Sequence, residues 1–292
     1  MTSRPGWSDV RARLEAAGFR PSRRLGQNFL LDENMATALV RDAGVEPGTK
    51  VLEVGVGCGF LTLPLVNAGA DLLAAEIDPR VLEVAQEIVG ERPALRYFLG
   101  DVLAGKHHLN PKLEALLWRE DPWILVANLP YSVSAPLMAV LAELDNPPRA
   151  MHALVQLEVA QRIAAPHGTS DWGPLSVRLQ ASYAARVGRE VSAGLFWPRP
   201  KVASAVAVLD RRDDPPPRAD RDELAALAAG LFHRRRQGVG RVLGDLIGDR
   251  DLARQVLAAE GIDPSRRAET LSLETFLALS RTPGWRERDR QR

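Results

Sequence analysis

Four consecutive residues, Asn128-Leu129-Pro130-Tyr131, bring together an amide, two neighbouring carbonyls and an aromatic face. These groups suit methyl transfer to the exocyclic amine of a flat base. Such an amine is a poor nucleophile because its lone pair is delocalised into the ring, so a catalyst must hold its N–H bonds with acceptors while the nitrogen pyramidalises. The Asn128 side-chain oxygen can be one acceptor, and the backbone carbonyl of Leu129 or Pro130 the other. Proline fixes φ and removes a donor, which helps aim the carbonyls at a ligand. Tyr131 offers a ring on which an unstacked base can lie. No general base is needed if the amine attacks first and loses its proton afterwards. Taken alone, the tetrapeptide reads equally well as a strand-ending turn, because Asn and Pro are common turn residues.

A second pattern narrows the choice. The β-branched and apolar run Lys50 to Val54 leads into Gly55-Val56-Gly57-Cys58-Gly59, and Phe60 to Val66 reads as the start of a helix. A strand, a glycine-rich turn and a helix make a ligand loop in which the backbone can approach its ligand closely. Glu76 closes the next apolar run, Leu72 to Ile77, where a carboxylate that holds ribose hydroxyls is expected. The spacing is G-x-G-x-G, with Phe60 where a dinucleotide loop would place its third glycine, and the loop has no phosphate-binding lysine. That favours a nucleoside without a pyrophosphate, namely S-adenosylmethionine. Asp101, after the run Leu95 to Leu99, can accept from the cofactor's adenine amino group; the bland reading is a turn aspartate.

With these motifs the chain resembles the ribosomal RNA small-subunit adenine N6,N6-dimethyltransferase family. The match runs from Arg24-Leu25-Gly26-Gln27-Asn28-Phe29-Leu30 through Glu53 to Thr62, Glu76-Ile77-Asp78, Gly100-Asp101 and Asn128 to Tyr131. It continues through Gly173 to Val177, Phe196-Trp197-Pro198-Arg199-Pro200-Lys201-Val202, Ser204-Ala205-Val206, Gly261-Ile262-Asp263-Pro264 and Arg267-Ala268-Glu269. The glycine loop is shared by many methyltransferases, whereas the Gly-Gln-Asn-Phe-Leu and Phe-x-Pro-x-Pro-Lys-Val segments together are much narrower. The resemblance implies that Gln27, Asn28, Leu30, Gly55, Gly57, Glu76, Ile77, Asp101, Val102 and Asn128 bind S-adenosylmethionine. It places Asn128, Leu129, Pro130, Tyr131 and Phe196 around the target adenine. The bland reading of Phe196 and Trp197 is core packing, against which the following prolines predict a loop that presents an aromatic.

The implied reaction is dimethylation of two adjacent adenosines near the 3′ end of 16S rRNA, within the immature small ribosomal subunit and with a role in its biogenesis. Two other readings stand beside it: a large-subunit adenine methyltransferase of the antibiotic-resistance type, and an assembly factor that no longer methylates. The chain departs from the family pattern at Val56 and Cys58 in the loop, and at Arg234-Arg235-Arg236-Gln237-Gly238-Val239, where the family runs Arg-Arg-Lys-Thr-Leu. A glycine in a helix interior costs about 1 kcal/mol against alanine, which predicts a break there.

Composition limits what else the protein can be. Its 292 residues suffice for two domains. One cysteine excludes an internal disulfide, and no apolar run reaches the roughly 18 residues of a membrane span. A cytoplasmic monomer is expected. No Cys/His cluster has zinc spacing, so no metal is implied. The net charge is only +1, yet residues 1–30 carry six arginines against Asp9 and Glu15, and residues 211–292 carry 17 arginines against 14 acids. Basic ends around an acidic centre suit a protein that grips RNA phosphates at its periphery, although a run such as Arg234 to Arg236 is more often a solvated face.

The elements that must position these residues follow from punctuation. Strand-like runs at Val51, Leu72, Leu95, Ile124 and Met151 alternate with helix-like segments such as Pro79 to Val89 and Ala135 to Leu144. That alternation predicts an α/β fold with a parallel sheet covered by helices on both faces, plus a small C-terminal helical domain, and the resemblance implies that the sheet is a Rossmann-like class I methyltransferase sheet. The runs Ala185 to Val191 and Val202 to Leu209 predict an antiparallel pair at the sheet edge. The expected organisation is a methyltransferase domain over 1–210 with a basic N-terminal arm, a charged and proline-rich linker over 211–222, and a helical RNA-binding domain over 223–292. The polar end, Thr282 to Arg292, is expected to fray.

Overall fold

The computed structural model describes residues 6–22, 25–105 and 107–288. Arg23, Arg24 and Lys106 lie outside the described residues, as do the first five and last four. The elements of the first half are α1 (Trp7–Ala16), β1 (Phe29–Leu30), α2 (Glu33–Asp42), β2 (Lys50–Val54), α3 (Thr62–Asn67), β3 (Asp71–Glu76), α4 (Pro79–Val89), β4 (Leu95–Leu99), α5 (Pro111–Glu114), β5 (Trp123–Asn128) and α6 (Ser134–Leu141). Then come β6 (Ala150–Gln156), α7 (Leu157–Ala164), α8 (Pro174–Gln180), β7 (Tyr183–Val191), β8 (Phe196–Trp197), β9 (Ser204–Arg211), α9 (Arg218–His233), α10 (Val239–Ile247), α11 (Arg250–Ala259), α12 (Leu273–Arg281) and α13 (Pro283–Arg286).

Seven strands form one sheet in the order β4-β3-β2-β5-β6-β9-β7. The pairs β4/β3, β3/β2, β2/β5 and β5/β6 are parallel, and β9 runs antiparallel to β6 from Ala150↔Asp210 to Gln156↔Ser204. Parallel strands are covered on both faces, which is why β5 reads as an unbroken apolar run with Trp123 to Ala127 buried. Strand order reverses at β2, so the carboxyl ends of β2, β3 and β5 open on one crevice. Asp32 and Asp78 start α2 and α4 by accepting from Met35 N–H and Arg80 N–H. The two runs expected at the sheet edge are neighbours there, β9 lying inside β7.

The chain between those edge strands leaves the seven-stranded sheet. Its segment β8 pairs antiparallel with β1 in a second, two-stranded sheet, with Phe29 opposite Trp197 and Leu30 opposite Phe196. The two narrowest sequence signatures are therefore partners.

The chain divides into two compact units, one of residues 1–160 and 186–210, the other of residues 161–185 and 211–292. Residues 161–185, placed by the sequence with the sheet, cluster instead with the C-terminal helices. Trp172, Val177 and Ala181 are buried in the same core as Leu224, Leu227 and Phe276, and Trp172 Nε1 donates to the Leu271 carbonyl at 3.1 Å. The connecting segment is also shorter than the expected linker. Strand β9 runs to Arg211, and α9 begins at Arg218 directly after Pro217.

The break expected at Gln237-Gly238 is present: α9 ends at His233 and α10 starts after Gly238. A Cβ on Gly240 would stand 2.6 Å from Pro264 Cβ, and one on Gly238 2.8 Å from the Pro264 carbonyl. The glycines let the Asp263-Pro264 turn close onto α10, where Gly240 N–H donates to Pro264 O at 2.9 Å and Val239 N–H to Arg266 O at 2.7 Å. The polar composition predicts frayed ends from Thr282 onward, but Pro283–Arg286 is helical. Trp285 is buried and its Nε1 donates to Glu223 Oε2 at 2.8 Å, so an apolar ring outweighs the polar residues around it.

Candidate active site

Three chain segments converge at the crevice where the strand order reverses. The first is 25–30, before and within β1; the second is the glycine loop after β2; the third is 128–131 after β5. The contacts between them are close. A Cβ on Gly57 (φ +57°) would stand 2.8 Å from the Phe29 ring, and one on Gly26 2.9 Å from Tyr131 N. Only glycine combines that left-handed backbone with such an approach. Asn128 Nδ2 donates to the Asn28 carbonyl at 2.9 Å. Since a carbonyl only accepts, this bond fixes which end of the amide is nitrogen and leaves Asn128 Oδ1 as an acceptor with no donor among the described residues.

The neighbouring carbonyls are now distinguishable. Pro130 O accepts from Val133 N–H at 3.1 Å, closing the turn, whereas Leu129 O has no backbone donor among the described residues. The Leu129 side chain is buried, so its available group at the site is that carbonyl. Tyr131 is half-buried, and its hydroxyl shares a hydrogen bond of 2.6 Å with Ser204 Oγ. Burial raises the Tyr131 phenol above its ordinary pKa, with the Ser204 bond opposing.

Two adjoining clefts line this crevice. One is bordered by Gln27, Asn28, Leu30, Gly55, Gly57, Glu76, Ile77, Asn128 and Pro130, the other by Gly55, Glu76, Ile77, Asp101, Val102 and Pro130. Every residue expected to bind the cofactor borders one or both. Residues not expected to bind the cofactor also line them: Val56, Phe60 and Leu61 within the glycine-loop motif, and Ser132 and Val133 after Tyr131. For Ser132 and Val133 only adjacency to a motif could have marked them.

The donor and acceptor groups fit S-adenosylmethionine. The Glu76 carboxylate is buried and accepts from Gly57 N–H at 3.0 Å, Ile77 N–H at 2.9 Å and Asp78 N–H at 3.0 Å. Burial raises its pKa, and the three amides oppose that shift. Gln27 Oε1 accepts from Ser22 N–H at 2.8 Å, which leaves its buried Nε2 with no acceptor and suits a carboxylate of the ligand. Ile77 is 39% exposed, an uncovered apolar surface fit for an adenine face. Asp101 serves its bland role too: Oδ1 accepts from Leu103 N–H at 2.9 Å in a turn, while its other oxygen has no bond among the described residues.

Phe196 is not brought to the crevice. It is 3% exposed and packs in the sheet core beside Leu30, because pairing of β8 with β1 turns its ring inward. Trp197, its neighbour, instead joins an aromatic cluster, stacking on Phe29 with ring centroids 6.0 Å apart.

Glu53 is a polar residue whose situation the sequence does not disclose. The parallel register aligns Glu53, Ala74 and Tyr97 across β2, β3 and β4, and the small Ala74 leaves room between the two polar groups. Glu53 is fully buried, and among the described residues its carboxyl oxygens and the buried Tyr97 Oη and Thr62 Oγ1 lack a partner in good hydrogen-bond geometry, although the Thr62 hydroxyl lies close enough to act on the carboxyl group. Burial pushes Glu53 up to about 8, with Thr62 opposing and the Glu76 charge adding to the rise.

Among the described residues no group of three or more His, Cys, Asp or Glu could hold a metal ion, and no helix is long and apolar enough to cross a membrane.

Comparison with known proteins agrees with this geometry. The family model for ribosomal RNA adenine dimethylase matches residues 18–282. A relative named ribosomal RNA small subunit methyltransferase A from Acidothermus cellulolyticus is 36% identical over 283 residues, covering 95% of this chain and 94% of its own. One of the same name from Leifsonia xyli subsp. xyli is 37% identical, covering 94% and 97%. Among solved structures, a dimethyladenosine transferase from Plasmodium falciparum superposes with a TM-score of 0.70 at 20% identity, covering 86% of this chain and 95% of that one. The 23S rRNA methyltransferase ErmE gives 0.64 at 22% identity, covering 86% and 98%. Those two likenesses show the class I methyltransferase fold and leave the choice of RNA to the sequence relatives. The chain is a member of the ribosomal RNA adenine dimethylase family, an S-adenosylmethionine-dependent rRNA adenine methyltransferase.

Proposed function

We propose that this enzyme converts two adjacent adenosines near the 3′ end of 16S rRNA to N6,N6-dimethyladenosine, with the immature small subunit as substrate and the protein acting as a monomer. The observation that carries the reading is the fixed amide of Asn128, whose Oδ1, like the Leu129 carbonyl, has no donor among the described residues. S-adenosylmethionine supplies the electrophilic methyl group. In the first transfer Asn128 Oδ1 and Leu129 O accept the two N–H bonds of the target adenine, and in the second one of them accepts the single N–H that remains, which directs the nitrogen lone pair towards the cleft. This arrangement stabilises the charge that develops on nitrogen during attack. The proton passes to water after transfer, because the methylated cation is strongly acidic, so no protein base is needed. Pro130 holds the carbonyls in line, and the Tyr131 ring stacks on the extruded base. Phe196 contributes from beneath, by packing on Leu30, rather than by touching the base. Glu76 holds ribose hydroxyls, Asp101 the cofactor's adenine amine, and Gln27 its carboxylate.

The test is methyl incorporation from labelled cofactor into immature small subunits, large subunits and naked RNA. Incorporation should be confined to small subunits at four methyl groups per particle, about the number that two dimethylated adenines require, and naked short RNA should be a poor substrate. Asn128→Ala should cut the single-turnover rate at saturating cofactor much more than it weakens RNA binding. Labelling of large subunits, or full activity of the Asn128 variant, would contradict the assignment.

A further inference from the structure

The segment Ser204-Ala205-Val206 belongs to the family resemblance and reaches the site only through the Ser204 hydroxyl. Ser204 is the first residue of β9, opposite Gln156 in β6, and it is fully buried. Its backbone is held against the end of β6, where Leu157 N–H donates to the adjoining Ala203 carbonyl at 2.9 Å. The hydroxyl therefore projects from a fixed point of the sheet, and its partner there is the Tyr131 hydroxyl at 2.6 Å.

Tyr131 itself lies in a turn rather than in an element. Its carbonyl accepts from Ser134 Oγ at 3.3 Å, and its nitrogen abuts Gly26. Those contacts fix the backbone but leave the ring free to rotate about two side-chain bonds. A stacking platform that rotates offers the base an edge as readily as a face. The bond to Ser204 ties the far end of the ring to the sheet and removes that freedom.

We infer that Ser204 is a positioning residue for methyl transfer: through its hydrogen bond to the Tyr131 hydroxyl, it holds the ring in the orientation that receives the target adenine. This rests on the reading of Tyr131 as the stacking platform. Ser204 touches neither the base nor the cofactor, so its removal acts on turnover and leaves binding alone.

The experiment is a double-mutant cycle with Ser204→Ala and Tyr131→Phe in the full chain, with Tyr131→Ala beside it. Each is read by single-turnover methyl transfer to small subunits at saturating cofactor, by affinity for cofactor and subunit, and by thermal midpoint. Loss of one buried hydroxyl bond should slow transfer by about tenfold. Ser204→Ala and Tyr131→Phe should each show that loss with unchanged affinities, and the double variant should be no slower than either, because both remove the same bond. Tyr131→Phe keeps the ring and replaces a partly exposed residue, so it stays informative even if the buried Ser204→Ala variant folds poorly. Wild-type rate in Tyr131→Phe, or losses that multiply in the double variant, would overturn the proposal. If Tyr131→Ala is also fully active, the stacking reading itself falls; if Tyr131→Ala is slow while Tyr131→Phe is not, only the role of Ser204 falls.

Discussion

Between its ordinary pKa of 4.5 and about 8, Glu53 keeps in the folded protein a proton that the unfolded chain releases. The folded state then binds more protons across that window, so Glu53 makes stability fall as pH rises from about 4.5 and the loss is complete near pH 8. Buried His152 works in the opposite sense, because burial lowers its pKa and the unfolded chain takes up the extra proton at low pH. Comparison with Glu53→Gln isolates the first effect. Unfolding free energies from denaturant titrations at pH 5 to 8 should decline less steeply in the variant, by an amount on the order of a few kcal/mol at the alkaline end. Identical slopes would mean that Glu53 is ionised in the native state. Glu76 makes a different kind of contribution, since its buried carboxylate is already oriented by three backbone N–H groups. Glu76→Ala should weaken S-adenosylmethionine binding by on the order of 1.5–3 kcal/mol in calorimetry, the range for a hydrogen bond to a charged group. Unchanged affinity would reassign the glycine loop to another ligand.

At the level of elements, the turn from α9 to α10 carries Arg234, Arg235 and Arg236. Arg234 Nη1 pairs with Asp245 at 2.6 Å, while Arg235 and Arg236 are exposed and have no ion pair among the described residues. An exposed pair contributes little to stability, so the patch can be replaced by alanine without unfolding the unit. If these arginines meet RNA phosphates, the triple alanine variant should bind immature small subunits more weakly, and its log-affinity against log-salt slope should be shallower by about 0.7–0.9 for each phosphate that it no longer neutralises. Equal slopes for variant and wild type would return the patch to a solvated face. The sheet that frames the site is legible in the sequence because parallel strands are long apolar runs, and the crevice residues Gly55, Glu76 and Asn128 each stand at the end of one of them. The partnership of β1 with β8 is not, since two-residue strands carry no periodicity and their pairing spans most of the chain. That is why the motif alone places Phe196 at the base while the fold holds it in the core. The membership of residues 161–185 in the helical unit is hidden for a similar reason: the chain leaves and re-enters the sheet within α7 and β7, with no Pro- or Gly-rich junction to mark the change.

For the whole molecule, the proposed function gives the divided charge of a nearly neutral chain and the open acceptors at the sheet crevice one task, holding a large RNA while one base is presented for transfer. The alternatives differ in what they leave on RNA. A large-subunit enzyme marks another molecule, and an assembly factor marks none. Full dimethylation removes both hydrogens from the adenine amine, so reverse transcriptase stops at such a base. Primer extension across the 3′ end of 16S rRNA, in cells with the gene deleted and then restored, reads this directly. The stop at two adjacent adenosines should be present in the parent, absent in the deletion, and regained with the wild-type protein but not with Asn128→Ala. A stop that persists in the deletion strain, or that the Asn128→Ala protein restores in full, would contradict the account.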